Sequence, residues 1–182
     1  MKTISDHILD ILQNSVRAGA TLIEIMVNED KTSDIYAVEV KDNGCGMTEE
    51  EVQKAVQPFF TTRTTRKVGL GLPLLKQNAE ASGGNLVIRS VPGEGTVVRA
   101  EFGLKHIDRP AMGDIAGVFV LTAIGHPSVG FGYTHTTGTG SFRICTEELN
   151  EMLEGMPLRT PEIRKAVTEL IRNNLQSVDA SA

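Results

Sequence analysis

The 182-residue chain has no tryptophan, and phenylalanine and tyrosine make up only 4% of it. Aliphatic side chains must therefore fill most of any core. Two cysteines, Cys45 and Cys145, are too few for a disulfide scaffold and lack metal-binding spacing. That usage fits a reducing compartment, and the expected location is the cytoplasm. No apolar run approaches the roughly 20 residues a membrane helix needs. The most apolar stretch, Gly117 to Ile124, is far too short, and the first residues do not form a signal peptide. No membrane partner is expected. Nor is there an excess of basic residues: a net charge of −5 argues against a nucleic-acid surface. What remains is ordinary for a soluble globular protein, 40% hydrophobic and 23% charged, with length for one domain or one with a small appendage.

The most informative stretch is Lys41-Asp-Asn-Gly-Cys-Gly-Met47, which follows the strand-like run Ile35 to Val40. An aspartate stands where the strand ends. Gly44 and Gly46 let the backbone turn tightly and approach a ligand without a Cβ in the way. An ionised carboxylate there only accepts hydrogen bonds, which suits an exocyclic amine. Asp-Asn-Gly is equally ordinary turn chemistry, so the stretch alone leaves both readings open.

Three further stretches occur in order. The first, Ile8 to Ala20, belongs to a helix in which Ile4, Ile8, Ile11, Leu12 and Val16 mark a buried face, with Ser5 or Asp6 as the cap. Asp10, Asn14 and Arg17, at i, i+4 and i+7, share another face, where carboxylate, amide and guanidinium can line a site. Pro58-Phe-Phe-Thr-Thr-Arg63 opens a short polar, basic loop reaching Lys67. Val68-Gly-Leu-Gly-Leu72 runs into a helix ending near Ala81, with Pro73 in its first turn. Glycine amides at a helix N-terminus favour an anion. The rest of this half reads as a hairpin (Thr21–Val27, Ile35–Lys41), a capping-box helix from Thr48 to about Val56, and strands at 86–90 and 96–102.

Taken together, these stretches resemble the N, G1, F and G2 boxes of the GHKL ATPase superfamily, which includes DNA gyrase B, Hsp90, the histidine kinases and MutL. Gly93-Glu-Gly-Thr-Val-Val98 is similar to its last, glycine-threonine element, and the resemblance covers about residues 1–103. It implies a Bergerat-type α+β sandwich: a mixed, mostly antiparallel sheet with helices on one face and ATP between sheet and lid. It implies that Asp42 reads adenine, with Gly44, Gly46 and Met47 beside it and Thr96 helping through water. It makes Asn14 the Mg²⁺ ligand and places Arg17 near the phosphates. Thr61, Thr62, Arg63 and Lys67 would belong to a compact lid, and Val68, Gly69, Leu70, Gly71 and Leu72 to the phosphate loop. Asp10 stands where the family often has a water-activating glutamate, one methylene longer. Lys67 and Val68 replace the family's first Gly-Thr.

The resemblance weakens after Phe102. Residues 105–182 read as a small αββαα module beside a 1–104 ATP-binding domain. Asp114 caps an apolar helix, Thr137-Gly-Thr-Gly140 turns a hairpin, Thr146 and Thr160 start two helices, and the last residues look frayed. The N box begins near residue 7, which leaves no room for an upstream phosphoacceptor domain. The four histidines read as structural or surface groups. Three functions are then weighed. The leading one is a stand-alone protein kinase of histidine-kinase-like type, transferring phosphate to a partner protein as anti-sigma-factor serine kinases do. The second is an ATP-gated binding switch with slow turnover, since Ala18-Gly-Ala20 is similar to MutL. The third is a degenerate fold without nucleotide. A homodimer is left open.

Overall fold

The computed structural model describes residues 1–57 and 70–181. In chain order the elements are α1 (Ile4–Arg17), β1 (Leu22–Asp30), β2 (Ile35–Asp42), α2 (Glu49–Ala55), α3 (Gly71–Ala81), β3 (Asn85–Val91) and β4 (Gly95–Gly103), then α4 (Ile115–Gly125), β5 (Gly130–Thr136), β6 (Ser141–Cys145), α5 (Thr146–Met152) and α6 (Pro161–Ser177). The strands make one six-stranded sheet in the order β3-β4-β2-β1-β5-β6. Every neighbouring pair is antiparallel except β1 and β5, which run parallel with Ile23 opposite Phe131 and Ile25 opposite Tyr133. The hairpin β5–β6 therefore extends the sheet begun by β1 and β2.

Alternation decides which face is covered. On β1, Ile23, Ile25, Val27 and Glu29 are buried, while Leu22 and Asn28 are exposed. The buried face continues through Val38 and Val40 on β2, Val98 and Ala100 on β4, and Phe131 and Tyr133 on β5. Helices lie over it. Ile4, Ile8 and Ile11 of α1 and Leu75 of α3 meet Val38, Val40, Val98 and Ala100 around a small apolar cavity. Fully burying such a side chain contributes about 1.5–3 kcal/mol each. The few aromatics are concentrated: Tyr36, Phe102, Phe119, Phe131 and Tyr133 are all fully buried. Phe119 of α4 packs on Tyr133 at 6.4 Å between ring centres, and Phe142 meets the same tyrosine edge-on at 6.4 Å.

The helix starts correct several sequence expectations. α1 is capped by Thr3, not by Ser5 or Asp6. Its Oγ1 accepts from the Asp6 amide, and Asp6 returns the contact to the Thr3 amide, a complete capping box. Ser5 is instead buried. Thr48 and Glu51 form the capping box read from sequence. Thr146 does not cap α5: the N-cap is Cys145, and Thr146 Oγ1 accepts from the Phe131 amide. Thr160 precedes α6 without a side-chain cap bond.

The last residues are bound rather than frayed. Val178 carbonyl accepts from Thr137 Oγ1 and from Thr139 Oγ1, the latter at 2.8 Å. Ser181 donates its amide (2.7 Å) and its hydroxyl (2.5 Å) to the Glu29 carboxylate. Glu29 is also bound by His135 Nε2 at 2.7 Å, and His135 Nδ1 lies 2.7 Å from the Tyr133 hydroxyl. Burial opposes the Glu29 charge, but the hydrogen bonds from His135 and Ser181 outweigh it and hold the carboxyl below its ordinary range.

Candidate functional site

Asp42 ends β2, opposite Ile23 on one side and Thr96 on the other. Its side chain is buried, and both carboxylate oxygens are held. Oδ2 accepts from Ser15 Oγ at 2.5 Å, and Oδ1 accepts from the Gly44 amide at 2.9 Å. Charge-assisted bonds of this kind fix the direction in which the remaining lone pairs point. The next residue, Asn43, accepts from the amides of Thr21 and Leu22 and donates to Thr21 Oγ1, tying the loop to the start of β1.

Glycine is required at Gly46 and Gly95. Gly46 has φ +66°, and a Cβ there would lie 2.0 Å from the Val91 carbonyl oxygen. Gly95 has φ +125°, and its Cβ would lie 2.0 Å from the Asp42 carbonyl oxygen. Backbone bonds from Cys45 N to Ala18 O and from Gly93 N to Cys45 O complete the loop. Met47 N donates to Ser90 Oγ, which also bonds the Gly95 carbonyl and lies 2.8 Å from Thr96 Oγ1.

The second group of residues sits on α1. Asn14 Nδ2 donates to Asp10 Oδ2 at 3.4 Å, and Arg17 donates to Asn14 Oδ1, so the three side chains form one line. Asp10 and Asn14 are half-buried and Arg17 is exposed. Ser15, next to Asn14, joins this line to Asp42. At its other end the line meets α3: a Cβ on Gly71 would lie 1.9 Å from Asp10 Oδ2. Gly71 must therefore be glycine for the Asp10 carboxylate to rest against the start of α3. Leu70, the N-cap of α3, makes no side-chain cap bond, and the first turn carries no acidic residue. The amides of Gly71 and Leu72 open the helix, whose N-terminal dipole has the polarity that favours an anion.

The fold thus brings Asp10, Asn14, Arg17, Asp42, Gly44, Gly46, Met47, Leu70, Gly71, Leu72 and Thr96 to one region linked by α1. Thr61, Thr62, Arg63, Lys67, Val68 and Gly69 lie outside the described residues, as does the rest of the Pro58–Gly69 stretch. Two participants escaped the sequence reading: Ser15 and Ser90. Ser15 falls on the buried stripe with Ile8, Ile11 and Leu12, and a hydroxyl on that stripe was the available signal.

Among the described residues, no group of three or more His, Cys, Asp or Glu side chains could cage a metal. The oxygens of Asn14 and Asp10 do suit Mg²⁺, which favours hard oxygen donors and is commonly held by one or two protein groups plus phosphates. No helix among the described residues is long and apolar enough to cross a membrane.

This geometry is that of a known class. Residues 3–106 match the model of the histidine kinase-, DNA gyrase B- and HSP90-like ATPases, and the chain belongs to that family. It is 31% identical over 117 residues to the non-motile and phage-resistance protein of Caulobacter vibrioides, covering 59% of this chain and 14% of that protein. It is 33% identical over 116 residues to the cell-division control histidine kinase PdhS of Brucella anthropi, covering 56% of this chain and 11% of the kinase. The chain thus spans a small fraction of these relatives' length. Among solved structures it resembles the N-terminal domain of a DNA repair protein (TM-score 0.56, 16% identity, 80% of this chain and 52% of that one). It also resembles the Aquifex aeolicus MutL ATPase domain complexed with ADP (TM-score 0.50, 18% identity, 85% and 70%). These likenesses show the fold. They cover more of the chain than residues 3–106, so they extend into the C-terminal segment.

Proposed function

We propose that the protein binds Mg²⁺-ATP and transfers its terminal phosphoryl group to a partner protein. The observation that carries the nucleotide part is the Asp42 carboxylate. It is buried at a strand end and oriented by Ser15 and Gly44, with its loop kept close-packed by glycines. That is an acceptor aimed for one donor, as an adenine amine would require. The line Asp10–Asn14–Arg17 leads from there to the start of α3, where a phosphate chain would find an amide, a cation and the positive end of a helix dipole. Asn14, with Asp10 nearby, would hold Mg²⁺, which when bound supplies charge neutralisation on the phosphates. Asp10 is the candidate base for the acceptor hydroxyl.

The similarity to the histidine kinase PdhS supports the transfer reading, though the chain matches only 11% of that kinase. An ATP-gated switch with slow turnover is the second reading, and one observation favours it. The Asp10 carboxylate is packed close against Gly71, which leaves little room beside it for an attacking hydroxyl. The two readings separate in one assay. With γ-labelled ATP and candidate partner proteins, a kinase moves label onto protein, and Asp10→Asn lowers the rate by about 10²–10⁴-fold. Label released only as free phosphate, or retained on ATP, contradicts transfer and leaves the switch.

A further inference from the structure

His7 lies on α1 one turn before Asp10 and is 1% exposed. Its Nε2 is 3.0 Å from the side-chain amide nitrogen of Asn78 on α3. An amide N–H₂ only donates, so Nε2 accepts and the ring proton sits on Nδ1. Nδ1 has no hydrogen-bond partner of normal geometry among the described residues. The ring also borders the apolar cavity with Ile4, Ile8, Ile11 and Leu75. A leucine or isoleucine would fill this place more cheaply, because a buried polar group short of a partner costs free energy.

The position of its partner suggests what the ring does. Gly71, Leu75 and Asn78 share one face of α3, and His7 and Asp10 share one face of α1. His7 bonds Asn78 while Asp10 packs against Gly71, so the two helices are bonded at one point and in close approach at another along facing stripes. Among the described residues, His7–Asn78 is the side-chain hydrogen bond that joins α1 to α3, and the Gly71 backbone acts on the same ring. Burial, reinforced by the N-terminal ammonium, holds the ring below its ordinary pKa against the pull of Asp6, Asp10 and the Gly71 backbone, and so keeps Nε2 an acceptor.

We infer that His7 is a positioning residue: through Asn78 it fixes α3 against α1, so that Asp10 and the first turn of α3 meet a phosphate chain at one set spacing. The inference rests on the nucleotide reading above. It concerns the phosphates alone, because Asp42 and its partners Ser15 and Gly44 do not touch His7 or Asn78.

Calorimetric titration with Mg²⁺-ATP and with adenosine, beside a melting scan, tests it. His7→Leu should melt no lower than wild type, bind adenosine within twofold, and bind ATP about tenfold more weakly, the effect of one lost hydrogen bond. His7→Gln, whose amide oxygen can accept from Asn78, should recover most of that loss. Asn78→Leu should reproduce it, and carries the test if His7→Leu does not fold. Unchanged ATP affinity in His7→Leu and Asn78→Leu, or equal losses for ATP and adenosine, overturns the inference while the nucleotide reading stands. A wild type that binds neither ligand overturns both.

Discussion

Asp42 shows how one hydroxyl can decide the use of a carboxylate. A buried charge is costly unless it is paired or hydrogen-bonded. Here Ser15 and the Gly44 amide take one oxygen each, and the remaining lone pairs are left in a fixed direction. Ser15→Ala removes one donor and leaves a buried anion short of a partner, at a cost of about 1–3 kcal/mol. It should therefore weaken ATP binding about tenfold while the chain still folds, as measured by titration calorimetry. Full affinity in Ser15→Ala would mean that Asp42 does not depend on this contact. Ser90 has a comparable place, since one hydroxyl joins Met47, Gly95 and Thr96 across three segments.

At the scale of elements, α1 organises the site because it carries two stripes. Ile4, Ile8, Ile11, Leu12 and Ser15 face the sheet, and Asp10, Asn14 and Arg17 line the site beside them. The apolar part of the first stripe was legible from spacing, with Val16 expected on it, where the structure buries Ser15 instead and leaves Val16 half-buried. The hairpin β1–β2, the capping box at Thr48 and the strand pair β3–β4 were legible for similar local reasons. Other features were not. Thr3, Ser5 and Asp6 all suit a cap, and only the backbone path selects Thr3, with Asp6 as the reciprocal partner. Ser15 and His7 look like polar residues on a helix, because their partners Asp42 and Asn78 are distant in sequence. The parallel pairing of β1 with β5 joins strands about a hundred residues apart, and neither strand carries a local mark of its partner.

At the scale of the whole molecule, the sheet has two poles. Asp42 pairs with Ile23 at one end of the β1–β2 ladder, and Tyr36 pairs with Glu29 six residues along, roughly 20 Å away. The Asp42 end and the Glu29–His135–Ser181 end are thus separate, and loss of one should spare the other. Glu29's lowered pKa makes its stabilising effect fully present above the ordinary glutamate range. That effect is lost as pH falls through the lower folded value. In acid titrations of stability, Glu29→Gln should therefore fall less steeply than wild type. Glu29→Ala should cost about 1–3 kcal/mol at neutral pH by leaving the buried His135 Nε2 without its partner, while Nδ1 keeps the Tyr133 hydroxyl. An unchanged acid slope in Glu29→Gln would mean that the tail contact is not coupled to folding. The central claim, that the Asp42 end takes ATP, is met most directly by melting scans of wild type and Asp42→Asn with and without Mg²⁺-ATP. Ligand at 100 times its Kd adds about 2.7 kcal/mol. For a chain of this size that raises Tm by roughly 5–11 °C. The account predicts this rise in wild type and its disappearance in Asp42→Asn; no rise in wild type at millimolar nucleotide, or an equal rise in both, would contradict it.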